Sequence, residues 1–134
     1  MAMATKSTRS PLVLGELEQS LMEHLWQAGE ADVTGAHTAV GEPRGITLNT
    51  VGSALERLTR KGLVVRWKVS RAYHYRPALD RSAFTARRMI ESAGKHALAD
   101  RNLLASFLDA VTEADASALD ELERFIAEKR EQNR

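Results

Sequence analysis

The sequence predicts a mostly α-helical fold with one small β-hairpin. Apolar residues recur every three or four positions along most of the 134 residues, which is the spacing of one buried helix face. Only two short runs, LVVRWKV and AYHYRP, are rich in β-branched and aromatic residues. Apolar residues make up 43% of the chain and aromatic residues only 5%, so we expect one compact domain with an aliphatic core, plus an appendage.

The first predicted helix covers residues 14–28. Its apolar stripe consists of Leu14, Leu17, Leu21 and Leu25, with Met22 and Trp26 beside it. Gly29 can end this helix in a left-handed conformation, because it has no Cβ.

A very short strand is predicted at residues 31–33, followed by a second helix that Thr34 caps and that ends near Val40. Gly41, Pro43 and Gly45 come next and predict a loop, because these residue types commonly break helices.

The third predicted helix covers residues 47–61, with Thr47 as its N-cap and Gly62 after its last turn. Its apolar positions fall within a sector of about 80° and predict a core face: Leu48, Val51, Leu55 and Leu58. Its opposite face carries short hydrogen-bonding side chains first and arginines later: Asn49, Thr50, Ser53, Arg57 and Arg60.

The two strand-like runs predict a β-hairpin whose turn is formed by Ser70 and Arg71. Strand alternation predicts one packed face and one exposed face. We expect Leu63, Val65 and Trp67 to alternate with Val64, Arg66 and Lys68, and Tyr73 and Tyr75 to alternate with His74 and Arg76. The exposed side and the tip would then be basic.

Three helices followed by a basic hairpin match the element order of a winged helix-turn-helix. In that fold, helix three enters the major groove of DNA and the hairpin, or wing, lies on the DNA backbone. Residues 47–77 hold seven basic residues and one acidic residue, a net +6, against −3 before and −2 after them. Such local charge is typical of a surface that faces phosphates. The predicted DNA-binding residues are Thr47, Asn49, Thr50, Ser53, Arg57, Arg60, Lys61, Arg66, Lys68 and Arg71.

After Pro77 the sequence predicts three more amphipathic helices. The first starts at Asp80 or Ser82 and is ended early by Gly94, the second covers residues 100–111, and the last starts in the segment 112–115. Their apolar stripes fit a homodimer interface, and folding back onto a monomer is the alternative. The predicted dimerisation residues are Phe84, Ile90, Leu103, Leu104, Phe107, Leu108, Val111, Leu119, Leu122, Phe125 and Ile126.

Composition excludes several functions. Without cysteine the chain forms no disulfide, zinc–thiolate site or catalytic thiol, which is compatible with a reducing cytosol. The four histidines have no metal-binding spacing, and no nucleophile–base pair or phosphate-cradling glycine loop occurs. No apolar run is long enough for a signal peptide or a membrane span. We therefore expect a cytoplasmic protein that is not an enzyme and has no metal or cofactor.

The runs LGELEQSLMEHLW, ITLNTVGSALERLTRKGLVVRWKVSRAYHYRP and NLLASFLDAV resemble, in order and spacing, the penicillinase-repressor (BlaI/MecI/CopY) family over about residues 14 to 127. The resemblance implies a winged helix joined to a helical dimerisation region. It also implies a homodimeric repressor that binds palindromic operators, commonly of TACA/TGTA type.

The resemblance also assigns roles to single residues. It implies recognition contacts by Asn49, Thr50, Ser53 and Arg57 and wing contacts by Lys68 and Arg71. Gly52 stands where members often have a basic residue, so one contact is missing. Members that respond to antibiotics through a membrane sensor protease are cleaved at an Asn-Phe bond, where this chain has Ser106 and Phe107. The cysteine-rich copper site of other members cannot form here.

We therefore predict a flexible arm at residues 1–12 with Lys6 and Arg9, a winged-helix DNA-binding domain at 13–78 and a helical dimerisation region at 79–134. Two alternatives remain open: a winged-helix regulator that responds to a small ligand, and a winged-helix module that binds another protein without reading DNA sequence.

Overall fold

The computed structural model describes residues 10–134, so Lys6 and Arg9 lie outside the described residues. The chain divides into two compact units, the first ending at Arg88 and the second comprising Met89–Arg134. The helices and strands are α1 Glu16–Ala28, β1 Ala31–Asp32, α2 Val33–Ala36, α3 Leu48–Arg60, β2 Val64–Val69, β3 Ala72–Pro77, α4 Arg81–Ala93, α5 Arg101–Ala114 and α6 Ala118–Gln132. The predicted fold class, a winged helix-turn-helix followed by a helical region, is confirmed.

The core of the first unit is aliphatic, as predicted. Leu21, Met22 and Leu25 of α1 pack against Leu55 and Leu58 of α3 in one fully buried cluster. The stripes of α1 and α3 therefore face each other. Gly29 ends α1 with φ +91°, a left-handed value that favours a residue without Cβ, and this ending was also predicted.

The segment after β1 differs from its prediction. Asp32, and not Thr34, caps α2, because its Oδ1 accepts a hydrogen bond from the Gly35 N–H at 2.7 Å. The predicted loop from Gly41 is also wrong, since the helical backbone continues through a π-helical turn (His37–Gly41) and a 3₁₀ turn (Glu42–Arg44) to Gly45.

Gly41 is buried inside this continued helix for a steric reason. Its backbone is helical, with φ −76°. A Cβ at this position would lie 2.6 Å from Cδ2 of His37 and 2.8 Å from Cγ2 of Val51 in α3. The glycine therefore lets two helices approach closely, and the sequence pattern that marked it as a helix breaker was misleading.

The three strands form an antiparallel sheet in the order β1-β3-β2, and the hairpin turn at Ser70 and Arg71 is confirmed. The predicted faces of the hairpin are wrong. Val64 is buried on the core side with Tyr75, whereas Val65 is 40% exposed on the other face. Leu63 belongs to the turn after α3, where its N–H bonds to the Leu58 carbonyl, so strand alternation begins one residue later than predicted.

The helices of the C-terminal region begin and end at residues that cap them. Asp80 caps α4 by accepting a hydrogen bond from the Ala83 N–H at 2.8 Å, and Gly94 ends the helix with φ +103°. Asp100 caps α5 through the Leu103 N–H at 3.1 Å. The predicted start of α6 within residues 112–115 is wrong, because α5 extends to Ala114 and α6 begins at Ala118.

Candidate nucleic-acid interface

The first turns of α3 present short polar side chains to solvent. Thr47 caps the helix as predicted, with its Oγ1 accepting from the Thr50 N–H at 3.2 Å. Its hydroxyl also donates to the Thr50 hydroxyl at 3.0 Å. Asn49 and Ser53 are exposed one turn apart on the outward face. This face therefore offers amide and hydroxyl groups that are free to meet base edges.

Leu48 lies beside these residues and is 44% exposed, although the sequence places it in the core. It is the first residue of α3, and the end of the helix extends beyond the packed cluster. The N-cap at Thr47 was the available signal, because it makes Leu48 the first residue of α3. Sequence reasoning missed Leu48 as part of the surface.

Gly52 lies on a different side of α3. A Cβ there would lie 3.6 Å from Cγ1 of Val33, an ordinary van der Waals distance. Residue 52 is thus half-buried next to the segment after β1 and is not a vacant position on the outward face.

Two basic residues at the C-terminal end of α3 pair with a carboxylate of α1. The Lys61 ammonium lies 3.0 Å from Oε1 and 2.9 Å from Oε2 of Glu18, and Nε of Arg57 lies 3.7 Å from Oε2. Burial alone would raise the pKa of Glu18, but hydrogen bonds from Gly15 and Lys61 and the charges of Lys61 and Arg57 hold that pKa below its ordinary value. Glu18 is therefore ionised at neutral pH.

The cations of the wing differ in whether a carboxylate pairs with them. Arg66 forms an ion pair with Glu56 of α3, and its guanidinium lies 4.3 Å from the centre of the Tyr73 ring. Lys68 and Arg71, near the hairpin turn, are exposed. Arg66 thus joins the wing to α3, while the tip presents exposed positive charge.

None of the ion pairs formed within residues 10–134 uses Arg60, Lys68 or Arg71. These three cations are the predicted DNA-binding residues with the least internal competition. The sequence alone does not show that Lys61 and Arg66 have carboxylate partners and these three do not. The partner of Lys61, for example, is Glu18, 43 positions away.

A helix-turn-helix whose last helix bears polar side chains beside a basic hairpin defines a winged-helix DNA-binding protein. A sequence model of the family described as penicillinase repressor matches residues 14–128. The transcriptional regulator BlaI of two Mycobacterium tuberculosis strains is 32% identical over 116 residues, which cover 86% of this chain and 83% of the relative. The chain belongs to the penicillinase repressor family, whose members are DNA-binding transcriptional repressors and not enzymes.

Two solved structures are also similar. The solution structure of the DNA-binding domain of the repressor BlaI aligns with a TM-score of 0.49 and 22% identity, covering 55% of this chain and 89% of that domain. A homodimeric winged helix-turn-helix DNA-binding domain from Mycobacterium bovis aligns with a TM-score of 0.48 and 23% identity, covering 68% of this chain and 92% of that domain.

Within residues 10–134, no helix is both long and apolar enough to span a membrane. The same residues contain no group of three or more histidine, aspartate or glutamate side chains that could hold a metal ion.

Proposed function

We propose that this protein represses transcription as a homodimer that places α3 of each chain in the major groove of a palindromic operator. The observation that carries the proposal is the outward face of α3, where exposed Asn49 and Ser53 are continued by the unpaired Arg60. The proposal includes a cytoplasmic location, where the chain would meet the chromosome.

The dimensions of α3 suit base reading. A helix with side chains is about 10–12 Å wide and fits a major groove about 12 Å wide. Asn49 and Ser53 are about 6 Å apart along the axis, which spans roughly two base-pair steps. An asparagine amide can bond both N6 and N7 of adenine, and a serine hydroxyl can donate or accept. These residues and Thr50 are the proposed base readers.

The proposed phosphate contacts come from the cations without a carboxylate partner, Arg60, Lys68 and Arg71, and from Arg57, whose side chain is 46% exposed. Lys61 and Arg66 are left out of this set, because carboxylates of the same chain already bind them. Their role is to support α3 and the wing.

The proposal of a dimer rests on the second unit, in which Ala97 is the only buried residue among those described. Apolar side chains as large as Phe125, which is 57% exposed, remain open to solvent. A second copy of the unit would cover them in a symmetric interface. The residues proposed for this interface are Met89, Ile90, Leu98, Leu103, Leu104, Phe107, Leu108, Leu119, Phe125 and Ile126.

Three residues that the sequence assigned to the dimer interface fit it less well. Phe84 is only 3% exposed and its ring centre lies 5.5 Å from that of Trp26, so it belongs to the core of the first unit. Val111 and Leu122 are half-buried within the second unit. We therefore omit all three from the proposed interface.

A small-ligand site is the weaker explanation of the same surface. Met89, Ile90, Leu98, Leu104 and Phe107 line an open groove of about 180 Å³ in the second unit, together with Ala93, Ala97 and Leu103. Binding pockets are usually about 300–1,000 Å³ and include a few polar groups that orient the ligand. This lining is wholly apolar, which favours side chains of a second copy.

The test compares binding of the purified chain to a duplex from upstream of its own gene with binding to random DNA of equal length, across a salt series. If a dimer neutralises about eight phosphates, log K should fall with log salt with a slope near −7. We expect a preference for the upstream duplex of about 10³ or more. Binding without preference and without salt dependence would favour the protein-interaction module instead.

A further inference from the structure

Beneath the DNA-binding face lies a buried carboxylate that the proposed contacts do not use. Glu18 of α1 is only 6% exposed, yet its carboxylate pairs with Arg57 of α3 and with Lys61, the residue after α3. Its Oε1 also accepts the Gly15 N–H at 3.0 Å. The same carboxylate therefore caps its own helix and neutralises part of the positive charge of α3.

The two cations that Glu18 holds lie on the side of α3 that runs from the proposed base readers toward α1. Ser53, Arg57 and Lys61 follow one another at intervals of four residues, each rotated by about 40°. The side chains thus pass gradually from the outward face toward α1. Arg57 and Lys61 are long enough to turn either toward the carboxylate or toward a DNA backbone.

We propose that Glu18 is a positioning residue that limits non-specific DNA binding by holding Lys61 away from DNA phosphates. This inference rests on the proposed placement of α3 in the major groove.

The burial of the Glu18 carboxylate explains why Lys61 would stay paired with it when DNA is present. Moving the ammonium to a phosphate would leave the Glu18 carboxylate charged, buried and without its main partner, which is strongly unfavourable. Lys61 is further held by the Val13 carbonyl at 3.3 Å, and its side chain is only 25% exposed. Arg57, at 3.7 Å and more exposed, is held less tightly.

Specificity follows from this arrangement because phosphate contacts strengthen binding to every sequence equally. A lysine released onto the backbone would add affinity for operator and random DNA alike. It would also keep the repressor longer at wrong sites. A carboxylate that removes this contact leaves a larger share of the binding energy to Asn49, Thr50 and Ser53.

The experiment compares Glu18→Gln with the wild-type chain on random DNA across a salt series. Glutamine keeps an oxygen for the Gly15 N–H but loses the charge that holds Lys61. Each added phosphate contact steepens the slope of log K against log salt by about 0.9 and raises affinity about eightfold at 0.1 M salt. One freed lysine in each of two chains should therefore steepen the slope by about 1.8.

Glu23→Gln is the matched control, because it removes one negative charge from the same helix at an ion pair with Arg81. We expect its slope to equal that of the wild type. The double variant Glu18→Gln/Lys61→Gln should lose the added slope. Circular dichroism at the assay temperature verifies that each variant is folded.

The result that overturns the inference is a Glu18→Gln slope equal to that of Glu23→Gln. If Glu18→Gln does not fold, the Lys61→Gln variant decides alone. A salt slope equal to that of the wild type supports the inference, and a slope flatter by about 0.9 per chain overturns it. Wild-type binding that shows no salt dependence would overturn both this inference and the proposed function.

Discussion

At the scale of single residues, Gly41 and Gly52 share helical backbone but differ in their surroundings. A Cβ at Gly41 would meet Val51 at 2.8 Å, whereas one at Gly52 would meet Val33 at 3.6 Å. Alanine is the better helix former by about 0.5–1 kcal/mol wherever space allows. The outcome of the same substitution should therefore differ in sign at the two sites.

We predict that Gly52→Ala raises the free energy of unfolding by about 0.5–1 kcal/mol. Gly41→Ala should lower it by about 1–3 kcal/mol, because the added methyl group overpacks the contact between His37 and α3. Chemical denaturation of both variants measures these changes. Equal effects would contradict the assigned reason for Gly41.

A second residue-scale prediction concerns pH. The pKa of Glu18 is lowered in the folded chain, so its ionised form stabilises the fold above the ordinary value of 4.5. This stabilisation should decrease as the pH falls below about 4.5 and through the lowered pKa. Denaturation of the wild type and Glu18→Gln at a series of pH values should show a difference that shrinks in acid. A difference that is constant with pH would contradict this role.

A third prediction separates base reading from phosphate binding. Asn49→Ala should reduce the preference for operator over random DNA by about 1–3 kcal/mol. Arg71→Ala should weaken binding to both DNAs similarly and flatten the salt slope by about 0.9 per contact. Binding titrations with both duplexes measure the two effects. The same loss on both duplexes from Asn49→Ala would remove it from the base readers.

At the scale of elements, the sequence predicts helix caps and turns well, because each depends on residues within a few positions of it. Thr47 caps α3 through its own hydroxyl, and Gly62 follows with φ +79°, which a glycine adopts without strain. The hairpin turn was also predictable, since Ser70 and Arg71 separate two strand-like runs. Each of these features depends on neighbours within a few positions.

Features that depend on distant neighbours were not predictable. The closeness of Gly41 to Val51 is a property of packed helices and has no local pattern. The faces of the hairpin depended on whether Leu63 belongs to the strand or to the turn before it. The ion pairs of Glu18 and Glu56 determine which cations of the basic segment lack a carboxylate partner, and the charge pattern of the sequence does not show them.

At the scale of the whole molecule, the two units differ in how much apolar surface they bury. The first unit holds nearly all the buried side chains among the described residues, and the second leaves most of its leucines and both of its phenylalanines exposed. Such exposure is typical of a surface that another protein chain covers. We expect the second unit to be stable chiefly in the proposed dimer, so that stability depends on protein concentration.

The corresponding prediction uses two variants of α5. Leu104→Asp places a carboxylate in the proposed interface and should shift the protein to a monomer that binds the operator more weakly. Asn102→Asp adds the same carboxylate to the same exposed helix at a polar position and should remain dimeric. Sedimentation equilibrium measures the mass of each. A dimer with Leu104→Asp, or a monomeric wild type, would contradict the proposed interface.

The chain has two tryptophans, and they report on different events. Trp26 donates its indole N–H to the Leu79 carbonyl at 3.0 Å beside Phe84, within the first unit, whereas Trp67 lies on the wing with the Arg76 guanidinium 5.3 Å from its ring centre. Indole emission depends on local polarity and nearby charge. In a Trp26→Phe variant, the remaining fluorophore would therefore signal the arrival of DNA at the wing in real time, without any attached dye.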